Sequence, residues 1–171
     1  TRMTGATSSN TRLLSVGGYT SSTVDTIEFF TIATQSNATD FGNLQSARYG
    51  VGCLSNQTRG VLAAGNPYTN TIDFVTIATT GNASDFGDLL NFNPSFPATC
   101  SSSTRGIIAG GEGPSPHPYF DNIEFVTIAS TGNGTDFGNL LAANFSLGGG
   151  SSPTRGVFGG GAAPSGVNVI Q

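Results

Sequence analysis

VTIATTGNASDFGDL, residues Val75–Leu89, decides how the chain is read. Thr31–Leu44 (TIATQSNATDFGNL) and Thr127–Leu140 (TIASTGNGTDFGNL) repeat it with small changes. Each copy joins a β-branched, aromatic-rich run to a Gly/Asn/Ser/Thr turn and a short second apolar stretch, the pattern of two strands and a tight connection. A second marker, Thr-Arg, falls at residues 11–12, 58–59, 104–105 and 154–155, with spacings of 47, 46 and 50. Asp-Phe-Gly begins at Asp40, Asp85 and Asp136, with spacings of 45 and 51. The two series lengthen together, so loop insertions account for the differences. A period in this range belongs to propeller blades or to helical repeats, and no long 3.6-residue apolar stripe supports helices.

Four short strands are expected per unit. The first approaches Thr-Arg (Arg48–Leu54) and the second follows it (Arg12–Gly17, Arg59–Ala64, Arg105–Gly110, Arg155–Gly160). The third is Thr71–Ala78, with Val24–Ala33 and Asn122–Ala129 as counterparts, and the fourth is Asp-Phe-Gly-x-Leu. In Thr71–Ala78 alternation sends Ile72, Phe74 and Thr76 one way and Asp73, Val75 and Ile77 the other. Both faces are largely apolar, as in a sheet packed between two neighbours. The expectation is an all-β domain spanning 1–171, a β-propeller or a segment of one. It would hold about three and a half four-stranded antiparallel blades of about 47 residues, at approximately 1–46, 47–93, 94–141 and an incomplete 142–171. Ile170 aligns with Ile27, Ile72 and Ile123. The chain then reads either as a window of a longer array or as a closed ring of four.

The order Arg-Tyr-Gly (48–50), a strand with a glycine pair, Asn-Thr-Ile-Asp-Phe (70–74) and a last short strand resembles the kelch repeat. It departs in having no Trp; Phe41, Phe86 and Phe137 sit near that place. TIATTGNASDFGDL (76–89) with SSSTRGIIAGG (101–111) is similar to kelch-like repeats in tail and other structural proteins of marine bacteriophages, cyanophages included. The similarity covers essentially the whole chain. It implies a virion-associated, non-enzymatic protein whose partners are other virion proteins, further copies of itself or host surface glycans. A bacterial secreted or cell-surface adhesin built from the same repeat is an alternative, as is the non-catalytic part of a larger hydrolase.

Composition limits the classes. Only 9% of the 171 residues are charged, the net charge is −4, and there is no Lys. The six arginines are spread along the chain, so no phosphate-tracking surface is expected and nucleic acid is disfavoured as a partner. No run of eighteen apolar residues offers a membrane-spanning helix, and TRMTGATSSN (1–10) has no signal-peptide core. One His and no Cys-x-x-Cys leave no zinc pattern, and no metal or other cofactor is expected. Cys53 and Cys100, 47 residues apart, read as small apolar residues at similar places in adjacent units.

Repeated charges are the first candidates for catalysis: the Thr-Arg arginines, the third-strand acids Glu28, Asp73 and Glu124, and Asp40, Asp85 and Asp136. Repetition favours a structural part, each arginine bridging acids within or between blades. The Asn-x-Ser/Thr sequons at Asn37, Asn82 and Asn133 recur in one turn, and Asn56 and Asn144 head two more. There the expectation is Asn in a left-handed turn conformation, with the hydroxyl closing the next turn. No phosphate loop follows the glycine pairs, and His117, between two prolines, has no marked nucleophile elbow to serve. No enzyme is expected.

Irregular segments remain as binding candidates. Gly18–Thr23, Gly65–Asn70, Gly111–Asp121 and Gly161–Val167 vary, as does Asn91–Ala98, and all belong on one face of the array. That face carries Tyr19, Tyr68, His117, Tyr119 and Phe120, aromatic groups suited to stacking on sugars or gripping a protein.

Overall fold

The computed structural model of the chain describes residues 1–90, 93–116, 119–162, 166 and 168–171. Alternation and turn chemistry yield strands throughout. The first sheet holds β1 (Gly5–Ser8), β2 (Arg12–Tyr19), β3 (Thr23–Thr31) and β4 (Thr39–Asn43). The second holds β5 (Gly52–Ser55), β6 (Arg59–Ala63), β7 (Thr71–Thr76) and β8 (Ser84–Asp88). The third holds β9 (Ala98–Ser101), β10 (Arg105–Ala109), β11 (Asn122–Thr127) and β12 (Thr135–Asn139). Each is antiparallel with its strands in sequence order. A fourth sheet has two strands, β13 (Gly148–Ser151) and β14 (Gly156–Gly159). Among the described residues there is no helix. First strands run shorter than expected: Tyr49 makes only an isolated bridge to Asn66, and β5 begins at Gly52.

Sheets stack in chain order. First strands lie side by side, β1 by β5, β5 by β9 and β9 by β13, and the ends of the series do not meet. The closed ring of four does not form: the fourth sheet is two strands wide, and β1 and β13 each have one neighbouring first strand. A hydroxyl ladder links the series. Ser55 Oγ donates to Ser8 O (2.7 Å), Ser101 Oγ to Ser55 O (2.8 Å) and Ser151 Oγ to Ser101 O (2.7 Å).

Three cores fill the spaces between sheets, because the second and third sheets are apolar on both faces. Leu14, Val16, Ile27 and Phe41 meet Leu62, Val75 and Ile77 between the first two. Ile72 and Phe86 meet Ile108, Val126 and Ile128 between the second and third, with Phe74 against them. Ala109 and Leu140 meet Leu147 and Phe158 beyond the third. Strand β7 thus sends Ile72 and Phe74 one way and Val75 and Ile77 the other, as alternation requires.

Register follows the period. Val16 faces Ile27, Ala63 faces Ile72, Ala109 faces Ile123 and Gly159 faces Ile170, so Ile170 does take the place of the other three isoleucines. The backbone keeps time as well. Gly17, Ala64, Gly110 and Gly160 all have φ between 58° and 71°. This left-handed residue directly follows β6, β10 and β14 and shifts the register within β2, and Ala64 holds it without being glycine.

The cysteines are not at equivalent places. Cys53 faces Leu62 across β5–β6, whereas Cys100 faces Ile107; the counterpart of Cys53 is Thr99. One residue of register puts a side chain on the opposite face. Cys53 therefore packs toward the first sheet and Cys100 toward the fourth, and both are free thiols.

The stacked arrangement makes stability depend on the cores between sheets. Ile72→Ala, at a fully buried site, is expected to cost about 2–5 kcal/mol in guanidinium unfolding. Leu141→Ala, at a site 84% exposed, is expected to stay within about 0.5 kcal/mol of the parent.

Candidate functional site

Arginines of the Thr-Arg pairs do not bridge acids. Arg12 Nη1 donates to Ile77 O (2.9 Å) in the next unit, and Arg59 Nη1 to Ile128 O (3.0 Å). Their guanidinium groups lie over the ring of their own sheet, Arg12 on Phe29 (4.5 Å), Arg59 on Phe74 (4.3 Å) and Arg105 on Phe125 (4.3 Å). A planar cation suits both tasks, since its edge donates while its face covers the ring. Asp40, Asp85 and Asp136 are exposed and take no part.

Sequon asparagines also differ from expectation. None has positive φ. Asn82 Oδ1 instead accepts from Asn43 N (3.0 Å), and Asn133 Oδ1 from Asp88 N (3.1 Å), stitching each turn to the edge of the preceding sheet. Asn56 Oδ1 closes its own turn, accepting from Thr58 N (2.9 Å) and Arg59 N (2.8 Å), a place that Ser9, Ser102 and Ser152 fill elsewhere. Buried Asn144 donates to Gly160 O (3.0 Å). Repeated polar groups are thus spent on the scaffold.

Third-strand acids have three separate fates. Glu28 is exposed, while Asp73 and Glu124 are fully buried. Asp73 Oδ2 accepts from Arg48 Nη2 at 2.7 Å, the one ion pair among the described residues. Arg48 Nη2 also donates to Leu62 O (3.2 Å), while Arg48 Nε and Asp73 Oδ1 have no partner. Burial raises the Asp73 carboxyl above its usual value against the pull of Arg48, and burial lowers Arg48. Pro94 stands where Arg48 stands, since Gly18 N donates to Arg48 O and Gly65 N to Pro94 O. In the third sheet, therefore, Glu124 takes Leu90 N on both carboxylate oxygens (3.2 and 3.0 Å).

Described residues of four irregular segments come together, while most of Gly161–Val167 lies outside the described residues. Tyr19 lies edge-on to Tyr49 (5.6 Å between centroids), and Tyr49 is tilted against Phe96 (5.9 Å). Arg2 covers the outer face of this row, 5.3 Å above Tyr19. Tyr68 is beside it: Glu112 and Tyr49 add to the burial that raises its hydroxyl above the usual value, against a hydrogen bond with Asn66. All four rings are half-buried. Tyr119 stacks on Phe145 at 5.1 Å with the planes 3° apart. Phe120 packs on the core between the second and third sheets, which makes it an anchor for its loop. His117 lies outside the described residues.

Tyr49, Phe96 and Phe145 complete this surface; Phe96 lies in the varying segment Asn91–Ala98, whereas Tyr49 and Phe145 lie outside the varying segments. A backbone signal exists for one of them, Phe96. Met3, Gly50, Phe96 and Ser146 follow the 47, 46 and 50 spacing, and all are left-handed, with φ between 54° and 63°. Among the described residues no group of three His, Cys, Asp or Glu could hold a metal ion. No protein-family model matches the chain, and a search of curated proteins finds no match.

Arg48→Met tests the buried pair. It is expected to cost about 3–5 kcal/mol at pH 7, because Asp73 is left buried without its cation. Without Arg48, burial of Asp73 is opposed only by a backbone hydrogen bond from Gln45, and its carboxyl rises further. Native protein then holds a proton that the unfolded chain has lost, so stability falls as pH rises between the unfolded and native values. The deficit relative to the parent should therefore be largest at neutral pH and shrink below about pH 4, by denaturant titration at both.

Proposed function

We propose that the protein is a non-enzymatic, kelch-like propeller module of a virion, tail-associated, whose irregular loop face attaches to host glycans or to neighbouring virion proteins. The observation that carries this reading is the aromatic row Tyr19, Tyr49 and Phe96 with Tyr68 beside it, at the end of the array where the loops vary. Half-buried rings held edge to face offer apolar surface at little entropic cost, and tyrosine hydroxyls and Glu112 add polar groups that orient a sugar. Repeated arginines and asparagines support a scaffold elsewhere, since their hydrogen bonds go to the next or preceding sheet. The likeness to phage kelch-like repeats supports the virion setting and the propeller assignment for the stacked four-stranded sheets.

A glycan array probed with the whole chain tests the attachment face. A hit is expected to weaken at least about tenfold in Tyr68→Ala and Tyr49→Ala, with the thermal midpoint little changed. Unchanged affinity in Tyr68→Ala and Tyr119→Ala would show that the wrong face has been chosen.

A further inference from the structure

At the loop end of the array, the residues just before the left-handed positions form one column: Arg2, Tyr49, Ser95 and Phe145. Two of them set a ring on the loop of the unit before. Tyr49 lies edge-on to Tyr19 (5.6 Å), and Phe145 stacks on Tyr119 (5.1 Å). Ser95 holds the corresponding place between the second and third units and has no ring to offer. Its hydroxyl is fully buried and unpartnered, and a Cβ on Gly50 would come within 2.9 Å of it. Phe96, the next residue, turns its ring to Tyr49 (5.9 Å). Tyr68, on the loop of the second unit, is left without a ring partner among the described residues.

An acid stands beside Tyr68 instead. Glu112 N donates to Ser95 O and Ser95 N to Glu112 O, both at 2.7 Å. A second bridge joins Glu112 to Tyr119, so its backbone is held from two sides. Directly paired residues of antiparallel segments share a face, and Glu112 therefore projects with Ser95 toward the second unit. Its charge reaches the Tyr68 hydroxyl, which burial raises first and Glu112 next, against a hydrogen bond with the Asn66 side chain. Among the described residues the Glu112 carboxylate has no hydrogen-bond or ion-pair partner. The place lies inside the array, with the first sheet on one side and the fourth on the other.

We propose that the ring-free place at Tyr68 is a subsite for one neutral pyranose, its C–H face on the Tyr68 ring and two adjacent hydroxyls donating to the Glu112 carboxylate. The proposal rests on the reading of the loop face as a glycan-attachment surface and names the sugar class. The C–H face of a pyranose takes the part that Tyr49 and Phe145 take against the neighbouring loop rings. A carboxylate only accepts, and sugar hydroxyls supply the donors it lacks. The Asn66 amide and the Tyr68 hydroxyl both donate and accept, which matches hydroxyl groups and not a cation. An acidic sugar would set like charge against Glu112, because Arg2 lies over Tyr19 and Arg48 is buried on Asp73. An aromatic side chain of a protein would cover Tyr68 but leave the acid desolvated without a donor.

Saturation-transfer NMR on the whole chain tests this with methyl glycosides of glucose, galactose and mannose, with N-acetylneuraminic acid, and with arginine methyl ester. Saturable binding of at least one neutral glycoside is expected, with Kd on the order of 1 mM and the two charged probes at least about tenfold weaker. Glu112→Gln keeps the shape of the side chain and should weaken the neutral sugar at least about tenfold, as should Tyr68→Leu. Preference for the acidic sugar or for the arginine ester would overturn the subsite. So would the absence of saturable binding by every neutral glycoside at about 50 mM. Binding lost in Tyr68→Leu but intact in Glu112→Gln would overturn the subsite and keep the loop face as the attachment surface. Binding intact in both variants would overturn the two together.

Discussion

The second and third sheets of this protein bury apolar side chains on both faces, so each needs a neighbour on either side. That constraint forces the units to stack, and stacking forces them to be alike, since each must fit the same neighbour on either side. The hydrophobic contacts set the attraction but little of the register. Register comes from directional groups at the margins: an arginine edge on the next sheet's carbonyl, a turn asparagine on the preceding sheet's amide, and a serine hydroxyl handed from first strand to first strand. Each bond lies at the rim of an apolar patch, where it specifies alignment without burying an unpaired charge.

The junctions between units show that this pattern tolerates local variation when the buried acid finds a donor. Where a junction residue is Arg48, the buried acid opposite is Asp73; where it is Pro94, the longer Glu124 reaches main-chain Leu90 N instead. An acid in the middle of an apolar strand costs free energy unless something answers it. The two solutions use different donors, so the third-strand acid is a conserved problem of geometry within this chain and not a repeated active group.

Much of the scaffold was legible in the sequence because its causes are local or periodic. Strand positions, the two-sided alternation of β7 and the equivalence of Ile170 with Ile72 all follow from the period and from the pleat. Partners of side chains across the period were not legible. Arginine at a fixed spacing reads as a charge seeking a charge, but its guanidinium found a carbonyl and a ring. The cysteines were misplaced by one residue, since loop insertions make the spacing of 47 a poor guide to register when one unit advances by 46. Tyr19, Tyr68 and Tyr119 were visible as loop aromatics, whereas Tyr49 and Phe96 belong to the connections between units, and only the fold brings them beside Tyr19.

The backbone explains how one surface varies while the rest does not. Met3, Gly50, Phe96 and Ser146 share one left-handed conformation although their side chains have nothing in common. A left-handed residue other than glycine costs about 1–2 kcal/mol, and three of the four positions bear that cost. The conformation is therefore imposed by the main-chain bonds around it: Gly50 N donates to Met3 O (2.9 Å), Phe96 N to Gly50 O (2.8 Å) and Ser146 N to Phe96 O (3.3 Å). These bonds run from one unit to the next and involve no side chain. A position held in this way carries a thioether, a hydrogen, a benzyl ring or a hydroxyl without altering the stack. At the end of the array where recognition would occur, chemistry is thus uncoupled from the fold, while at the opposite end Asn and Ser side chains are needed to close the turns.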